Sequence, residues 1–288
     1  MSISSPKTVL RRLGLRPEKA RGQNFLLHPH QARRIVAALE LTPDDLVVEV
    51  GPGLGALTFF LAQEALRVVA VEVDHALAAY LQAELFAGNP RVEIICQDVL
   101  RFDFRQRARE AGRSLAVAGN LPYQITSPLL FKLIEEKAAV SRAVLMMQQE
   151  VGARLAAAPG GKDYGILSVL LQYHFTMTRL FSLSPGNFYP PPQVTSAVMR
   201  LDPRQPDPQA RNEGFFAQVV KAAFATRRKT LRNTLAARRE VLGLPPTEVL
   251  AALEILDIDP QSRGETLSVA QFVNLSNELW GRRGNRAG

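Results

Sequence analysis

Leu46-Val47-Val48-Glu49-Val50-Gly51-Pro52-Gly53-Leu54-Gly55, residues 46–55, reads as a buried strand running into a glycine turn. Its first five residues are almost continuously apolar, as a strand covered by helices on both faces must be. The glycines permit a tight strand-to-helix turn and close approach of backbone to a ligand, because glycine has no Cβ. The spacing Glu49-x-Gly51-x-Gly53-x-Gly55 is not the Gly-x-Gly-x-x-Gly of dinucleotide enzymes, and no Gly-Lys-Ser/Thr follows as in a phosphate-binding loop. Taken alone, the turn fits plain strand–helix packing about as well as it fits a ligand site.

On either side of this stretch, helical and extended patterns alternate, which predicts βαβ units and a parallel sheet. The spacing predicts helices over 31–39, 56–65, 75–86, 127–136 and 164–174. Strands are expected over 46–50, 67–73, 91–96, 115–118 and 142–147. Two late strands, 175–183 and 196–201, flank Pro190-Pro191-Pro192 and suit an antiparallel addition at a sheet edge. Asp202-Pro203-Arg204-Gln205-Pro206-Asp207-Pro208 is polar and proline-rich, which marks a linker. Beyond it, 215–239, 246–256 and 269–280 have helical spacing and no strand pattern. The expected organisation is an α/β domain over 1–203, with a basic arm at 1–21, and a small all-helical domain over 204–288. The tail from Gly281 is expected to be disordered.

The 288 residues suffice for about two domains. Lys and Arg number 35 against 27 Asp and Glu, a formal charge of +8 that attracts phosphate backbones or simply aids solubility. A single cysteine, Cys96, excludes an internal disulfide framework and fits a reducing compartment. Its setting in Val92-Glu93-Ile94-Ile95-Cys96 predicts a buried strand position. No apolar run approaches the roughly 20 residues that span a bilayer. Four scattered histidines and one cysteine give no metal-site spacing.

Two acids follow the glycine turn at the ends of the next two strands. Glu72 can accept hydrogen bonds from ribose hydroxyls, Val73 can pack on one face of an adenine, and Asp98 can accept from an adenine amino group. Ligands of open α/β sheets bind outside the carboxyl ends of the strands, where all of these fall. An isolated acid at such a place is as readily a helix cap; in succession they favour a small adenosyl cofactor.

Asn120-Leu121-Pro122-Tyr123 follows the fourth strand, 65 positions downstream of Gly55. The exocyclic nitrogen of adenine is a poor nucleophile because its lone pair is delocalised into the ring. Accepting hydrogen bonds from the amino protons favours a pyramidal nitrogen with a more available lone pair. The Asn120 side-chain carbonyl and the Leu121 backbone carbonyl are suitable acceptors. Pro122 fixes the backbone and removes a competing N–H. Tyr123 offers a stacking face to a base splayed out of its helix. Phe188 or Tyr189 can supply the opposite face, though strand-end core packing explains those two equally well. The two halves together read as methyl transfer to adenine nitrogen.

These residues carry a resemblance. The chain resembles the bacterial small-subunit ribosomal RNA adenine dimethyltransferases, the KsgA family, over nearly its whole length. Gly22-Gln23-Asn24-Phe25-Leu26 is similar to the family's N-terminal cofactor motif, which implies that Asn24 and Leu26 help close over S-adenosylmethionine. Residues 48–58 resemble its glycine motif, with Gly51 and Gly53 against the cofactor. Glu72, Asp98 and Asn120 fall on its ribose, adenine and target-amino positions. Phe188-Tyr189-Pro190-Pro191-Pro192 resembles its late active-site loop, and Ala225 to Asn233 its basic helix. The resemblance implies a Rossmann-like class I methyltransferase that places two methyls on each of two adjacent adenines near the 3′ end of small-subunit rRNA. The expected setting is a cytoplasmic monomer acting on a pre-30S particle. His28-Pro29 stands where the family usually has an acid, which leaves the local helix start open.

The basic residues cluster accordingly. Lys7, Arg11, Arg12, Arg16, Lys19 and Arg21 precede the α/β pattern with only Glu18 opposing. Arg227, Arg228, Lys229 and Arg232 are expected on a helix whose apolar stripe includes Phe216, Val220, Phe224, Leu231 and Leu235. They are candidate phosphate contacts, whereas Arg238 and Arg239 beside Glu240 read as a solvated face. The alternatives are a large-subunit rRNA dimethyltransferase, a non-catalytic ribosome-assembly factor on the same fold, and a DNA adenine methyltransferase. The last more often has an acid in place of Asn120 and needs a base-reading domain that the sequence does not contain.

Overall fold

The structure, a computed structural model, describes residues 5–18, 22–226 and 228–287. It begins with α1 (Pro6–Leu13), β1 (Phe25–Leu26), α2 (Pro29–Ala37), β2 (Leu46–Val50), α3 (Ala56–Glu64), β3 (Arg67–Glu72) and α4 (His75–Tyr80), which a π-helical turn prolongs over Leu81–Leu85. There follow β4 (Val92–Cys96), α5 (Phe104–Ala111), β5 (Leu115–Asn120), α6 (Thr126–Glu135), β6 (Val140–Gln148), α7 (Gln149–Leu155), α8 (Ile166–His174), β7 (Phe175–Leu183), β8 (Phe188–Tyr189) and β9 (Ser196–Pro203). The rest is helical: α9 (Glu213–Ala223), α10 (Leu231–Ala236), α11 (Arg239–Leu242), α12 (Pro246–Ile255) and α13 (Val269–Ala287).

Seven strands form one sheet in the order β4-β3-β2-β5-β6-β9-β7. β2 pairs in parallel with both β3 and β5, so the strand order turns back on itself at β2. A crevice opens at such a switch point, outside the carboxyl ends of the strands. β9 pairs antiparallel with β6 and separates it from β7, so the late strands do extend one side of the sheet. β2 is buried along its whole length, as its apolar run requires. One core cluster packs Ile35 and Val36 of α2, Leu39 just beyond it, and Leu57, Phe60 and Leu61 of α3 against Val47, Val68 and Ala118 of the sheet.

A second, separate pairing places β1 antiparallel to β8, with Leu26 opposite Phe188 and Phe25 opposite Tyr189. Two residues per strand is too little periodicity for either to be read from sequence. The pairing nevertheless brings the Asn24-Phe25-Leu26 segment and the late Phe-Tyr-Pro loop together.

The N-terminal basic stretch is partly a docked helix. Ser5 caps α1 by accepting from the Thr8 N–H, and Gly14 closes it in the left-handed conformation. Val9 and Leu10 pack with Phe25, Leu54 and Tyr80. Arg12 bridges to Glu84 at 2.6 Å, while Lys7 and Arg11 remain exposed. Lys19 and Arg21 lie outside the described residues. α2 starts at Pro29, so His28 is its N-cap without a side-chain hydrogen bond, and its ring stacks on His30 at 5.5 Å.

The chain divides into two compact units, Met1–Gly152 with Thr176–Pro203, and Ala153–Phe175 with Arg204–Gly288. Residues 153–175, which a single cut after Pro203 leaves with the first domain, belong to the second unit. Within that unit the Tyr173 hydroxyl accepts from the Ala210 N–H at 2.9 Å, and its ring lies 4.5 Å from that of Phe216. α8 is buried around most of its circumference and so needs neighbours on all sides.

Three further expectations change. The continuous helix over 215–239 is instead α9, a break, and then α10 and α11, because Thr230 caps α10 by accepting from the Asn233 N–H. Cys96 is exposed at the end of β4, with its Sγ 3.2 Å from His75 Nδ1, rather than buried in the strand. Helix α13 continues past Gly281 to Ala287.

Candidate active site

The cavity that lies at the switch point is lined from four directions: β1 and the residues before it, the turn after β2, the ends of β3 and β4, and the segment after β5. The turn has the shape that its glycines allow. Gly53 has φ +58°, and a Cβ there would meet the Phe25 ring at 3.0 Å. Gly55, at φ +81°, would bring a Cβ to 2.6 Å from Leu85 Cδ2. Both positions combine left-handed backbone with close approach, so only glycine fits without displacing a neighbour.

Glu72 ends β3 and is 5 % exposed. Its Oε2 accepts from the Gly53 N–H at 3.0 Å, and its Oε1 from the Asp74 N–H at 2.9 Å. Burial pushes its carboxyl above the ordinary range, while those two backbone bonds draw it back. The carboxylate is thereby locked in orientation, with lone pairs left over for further donors. Val73 beside it is 51 % exposed, an apolar side chain held open at the cavity wall. Asp98 follows β4, where its Oδ1 accepts from the Leu100 N–H at 2.9 Å.

Asn120 closes β5. Its Nδ2 donates to the Asn24 carbonyl at 2.8 Å, which ties the segment before β1 to the sheet and leaves the Asn120 side-chain oxygen as an acceptor. Asn24 Nδ2 in turn donates to the Gly22 carbonyl at 3.0 Å. Leu121 is buried, and its N–H donates to the Met146 carbonyl at 2.9 Å. That bond fixes the strand end from which Pro122 and Tyr123 project.

Asn24, Leu26, Gly51, Gly53, Glu72, Val73, Asp98, Asn120 and Pro122 all line this one cavity, although they span almost a hundred positions of sequence. Leu121, Tyr123 and Phe188 do not. Tyr123 is half-buried and hydrogen-bonds Ser196; burial raises its hydroxyl pKa and that bond lowers it. Phe188 is 2 % exposed and packs in the core with Leu26, Leu183 and Val198, so its ring offers no open face in this conformation. Tyr189 is the partly exposed member of the pair.

Several lining residues had no role assigned from sequence: Gln23, Phe25, Glu49, Gln97 and Ile125. Of these, Glu49 carried a readable signal. An acid inside an otherwise apolar buried strand is expensive unless something requires it.

Arg228 and Lys229 are exposed in the break between α9 and α10, and Arg232 is exposed on the first turn of α10. Arg227 lies outside the described residues. The apolar stripe expected beside them is real for Phe216, Val220, Leu231 and Leu235, which are buried.

The lining combines an exposed apolar side chain, oriented carboxylates and an amide oxygen, with no Lys, Arg or His among the described residues. It suits a ligand with an aromatic face, hydroxyl donors and net positive charge. Comparisons with known proteins agree with a nucleic-acid-modifying enzyme. The chain is 47 % identical over 268 residues to the ribosomal RNA small subunit methyltransferase A of Geobacter metallireducens, covering 92 % of this chain and 96 % of that one. It is 45 % identical over 279 residues to the protein of the same name from Myxococcus xanthus, with 96 % of each covered. Among solved structures, a dimethyladenosine transferase from Plasmodium falciparum superposes with a TM-score of 0.76 at 26 % identity, covering 90 % of this chain and 98 % of that one. The 23S rRNA methyltransferase ErmE gives 0.66 at 27 %, covering 89 % and 99 %. A sequence model of one family, described as ribosomal RNA adenine dimethylase, matches residues 15–280. The chain belongs to the ribosomal RNA adenine dimethylase family.

Proposed function

We propose that this enzyme transfers methyl groups from S-adenosylmethionine to the exocyclic nitrogens of two adjacent adenines near the 3′ end of small-subunit rRNA, two methyls to each. The observation that carries the reading is the place of Asn120. It stands at the cavity wall with its amide N–H₂ committed to Asn24 and its oxygen left to accept from an amino group.

Bound S-adenosylmethionine supplies an electrophilic methyl on a sulfonium sulfur. The residues that would hold it are Glu72 for the ribose, Val73 and Asp98 for the adenine, and Asn24, Leu26, Gly51 and Gly53 for the remainder. Asn120, with the Leu121 carbonyl, accepts from the target amino protons and makes the nitrogen lone pair available. Pro122 holds that backbone in place, and Tyr123 gives the extruded base a stacking surface. Phe188 acts from beneath, fixing Leu26 across the β1–β8 pair. No side chain needs to serve as a strong base, because the methylated ammonium loses its proton readily to water.

The curated relatives at 45–47 % identity carry the small-subunit name, which favours that substrate over the large-subunit rRNA of ErmE. We place the enzyme in the cytoplasm as a monomer acting on a pre-30S particle. No helix among the described residues is long and apolar enough to cross a membrane. Purified pre-30S particles, 50S particles and plasmid DNA, each incubated with the enzyme and methyl-labelled cofactor, test the substrate. Label should enter only the pre-30S rRNA, as dimethyladenine. Labelling of 50S rRNA or DNA in its place would overturn the assignment.

Arg227, Arg228, Lys229 and Arg232 are proposed to hold rRNA phosphates. Phosphate contacts release counterions, so each lost contact should lower the log–log salt slope of RNA binding by roughly 0.7 to 0.9. The fourfold Gln variant, titrated with RNA across a salt series, should show this with cofactor affinity unchanged. An unaltered slope would move the RNA track to another surface, Lys7 and Arg11 of α1 being the next candidates.

A further inference from the structure

Glu49 stands apart from the other acids of the cavity. It is the fourth residue of β2, is 1 % exposed and lines the same cavity as Glu72 and Asp98. Its Oε2 is buried without a hydrogen-bond partner among the described residues. A buried carboxylate oxygen left unpaired is costly and calls for a proton or a cation. Among the described residues the cavity supplies no cation of its own, since the charged side chains that line it are Glu49, Glu72 and Asp98.

We propose that Glu49 is a proton-linked counter-charge: it ionises when the cationic cofactor enters the cavity and takes up a proton when the neutral thioether product is left there. The inference rests on the cofactor reading above. Methyl transfer breaks the S–CH₃ bond and forms an N–CH₃ bond; the sulfonium becomes a thioether and the amino proton leaves to solvent. The ligand thus loses one positive charge while it is still bound. An ionised Glu49 then has no cation to offset its charge, and protonation from solvent relieves it. The site thereby favours cofactor over product, which is a specificity that Glu72 and Asp98, facing hydroxyl and amino donors, do not supply.

The electrostatics run in that direction. Burial, with the Glu72 charge adding to it, pushes the Glu49 carboxyl up to about 8, and the adjacent Thr58 pulls the other way. The charged group that acts on it is an acid, Glu72 from β3, which Asp74 acts on in turn, and Asp98 after β4 lines the same cavity. At neutral pH the cavity therefore holds a protonated Glu49, and binding a cation must displace that proton. Sign and window follow. Cofactor affinity should rise as pH approaches 8 from below, by up to tenfold per unit, and level off above it, whereas product affinity should not gain in this way.

Calorimetric titration of wild type and Glu49→Gln with S-adenosylmethionine and with S-adenosylhomocysteine tests this, run at pH 6.5 to 8.5 in buffers of different ionisation heat. Gln is isosteric with the protonated acid, and a thermal melt checks that the variant folds. The amino group of each ligand titrates in the same range, so the decisive quantity is the difference between proteins. Wild type should release up to one more proton than the variant on binding S-adenosylmethionine, and no more on binding S-adenosylhomocysteine. The cofactor-to-product affinity ratio should rise with pH only in wild type. Equal proton release by both proteins, or an equal excess for both ligands in wild type alone, overturns the proposal while leaving the cofactor reading intact. Failure of wild type to bind either ligand overturns the cofactor reading itself. Should the variant not fold, wild-type proton release that is no greater for S-adenosylmethionine than for S-adenosylhomocysteine still refutes the inference.

Discussion

Asn120→Ala should abolish most methyl transfer while leaving cofactor binding largely in place. The side chain has two jobs that sit on different atoms. Nδ2 holds the Asn24 carbonyl at 2.8 Å, and the oxygen is the acceptor proposed for the target amino group. Loss of one preorganised polar group that acts on the reacting centre costs on the order of 10²–10³ in turnover. Loss of a single neutral hydrogen bond to a neighbouring segment costs only about 0.5–1.5 kcal/mol. Turnover should therefore fall much further than cofactor affinity. Asn120→Asp separates the jobs further, because it retains acceptor oxygens but cannot donate to Asn24. If the acceptor role dominates, Asp should retain more transfer than Ala despite weaker closure of the Asn24 segment. Single-turnover methylation of pre-30S rRNA, measured beside cofactor titration, makes the comparison. Dimethylation by Asn120→Ala at the wild-type rate would exclude the acceptor role.

Much of this site was legible because its parts sit at strand ends. An apolar run, a glycine turn and single acids after the next two runs are local signals, and the parallel sheet brings them together by topology alone. β2 occupies 46–50 and β3 67–72, almost as their apolar runs predict. Pieces whose placement depends on non-local partners were not legible in the same way. β1 and β8 are two residues each and exist only because they pair with one another across the chain, Leu26 with Phe188 at a separation of 162 positions. The assignment of 153–175 to the second unit likewise depends on contacts such as Tyr173 with Ala210 and Phe216, beyond the linker.

Local chemistry explains the other differences. Phe216 and Leu235 share a helical stripe in sequence, yet a threonine that competes for backbone N–H groups starts a new helix at Leu231. Cys96 closes an apolar strand, but β4 lies at the edge of the sheet and its last residue meets solvent. Phe188 shows the same ambiguity in the other direction. An aromatic residue before a proline run serves a binding face or a core equally well, and packing against Leu26, Leu183 and Val198 decides for the core here.

Glu72→Ala should reduce S-adenosylmethionine affinity more than any other single change in the ribose region. Both of its oxygens already accept one backbone N–H, from Gly53 and from Asp74. A carboxylate offers about four lone-pair directions, so two remain for a pair of adjacent hydroxyls. The substitution removes those acceptors and also strips the glycine turn and the start of α4 of their partners. Each lost charged hydrogen bond is worth about 1.5–3 kcal/mol, and a net loss of about 1–3 kcal/mol in binding corresponds to roughly 5- to 150-fold. Glu72→Gln distinguishes the two contributions. Its single carbonyl can serve one N–H, while its NH₂ opposes the other, so the turn is partly kept and a ribose acceptor is lost. Affinity for Gln should fall nearly as far as for Ala if ribose contact dominates, and much less if support of the turn dominates. Calorimetric titration of both variants, with unfolding midpoints measured on the same samples, reads out the difference. Wild-type affinity in Glu72→Ala would remove this residue from the cofactor site and leave it as a cap for Gly53 and Asp74 alone.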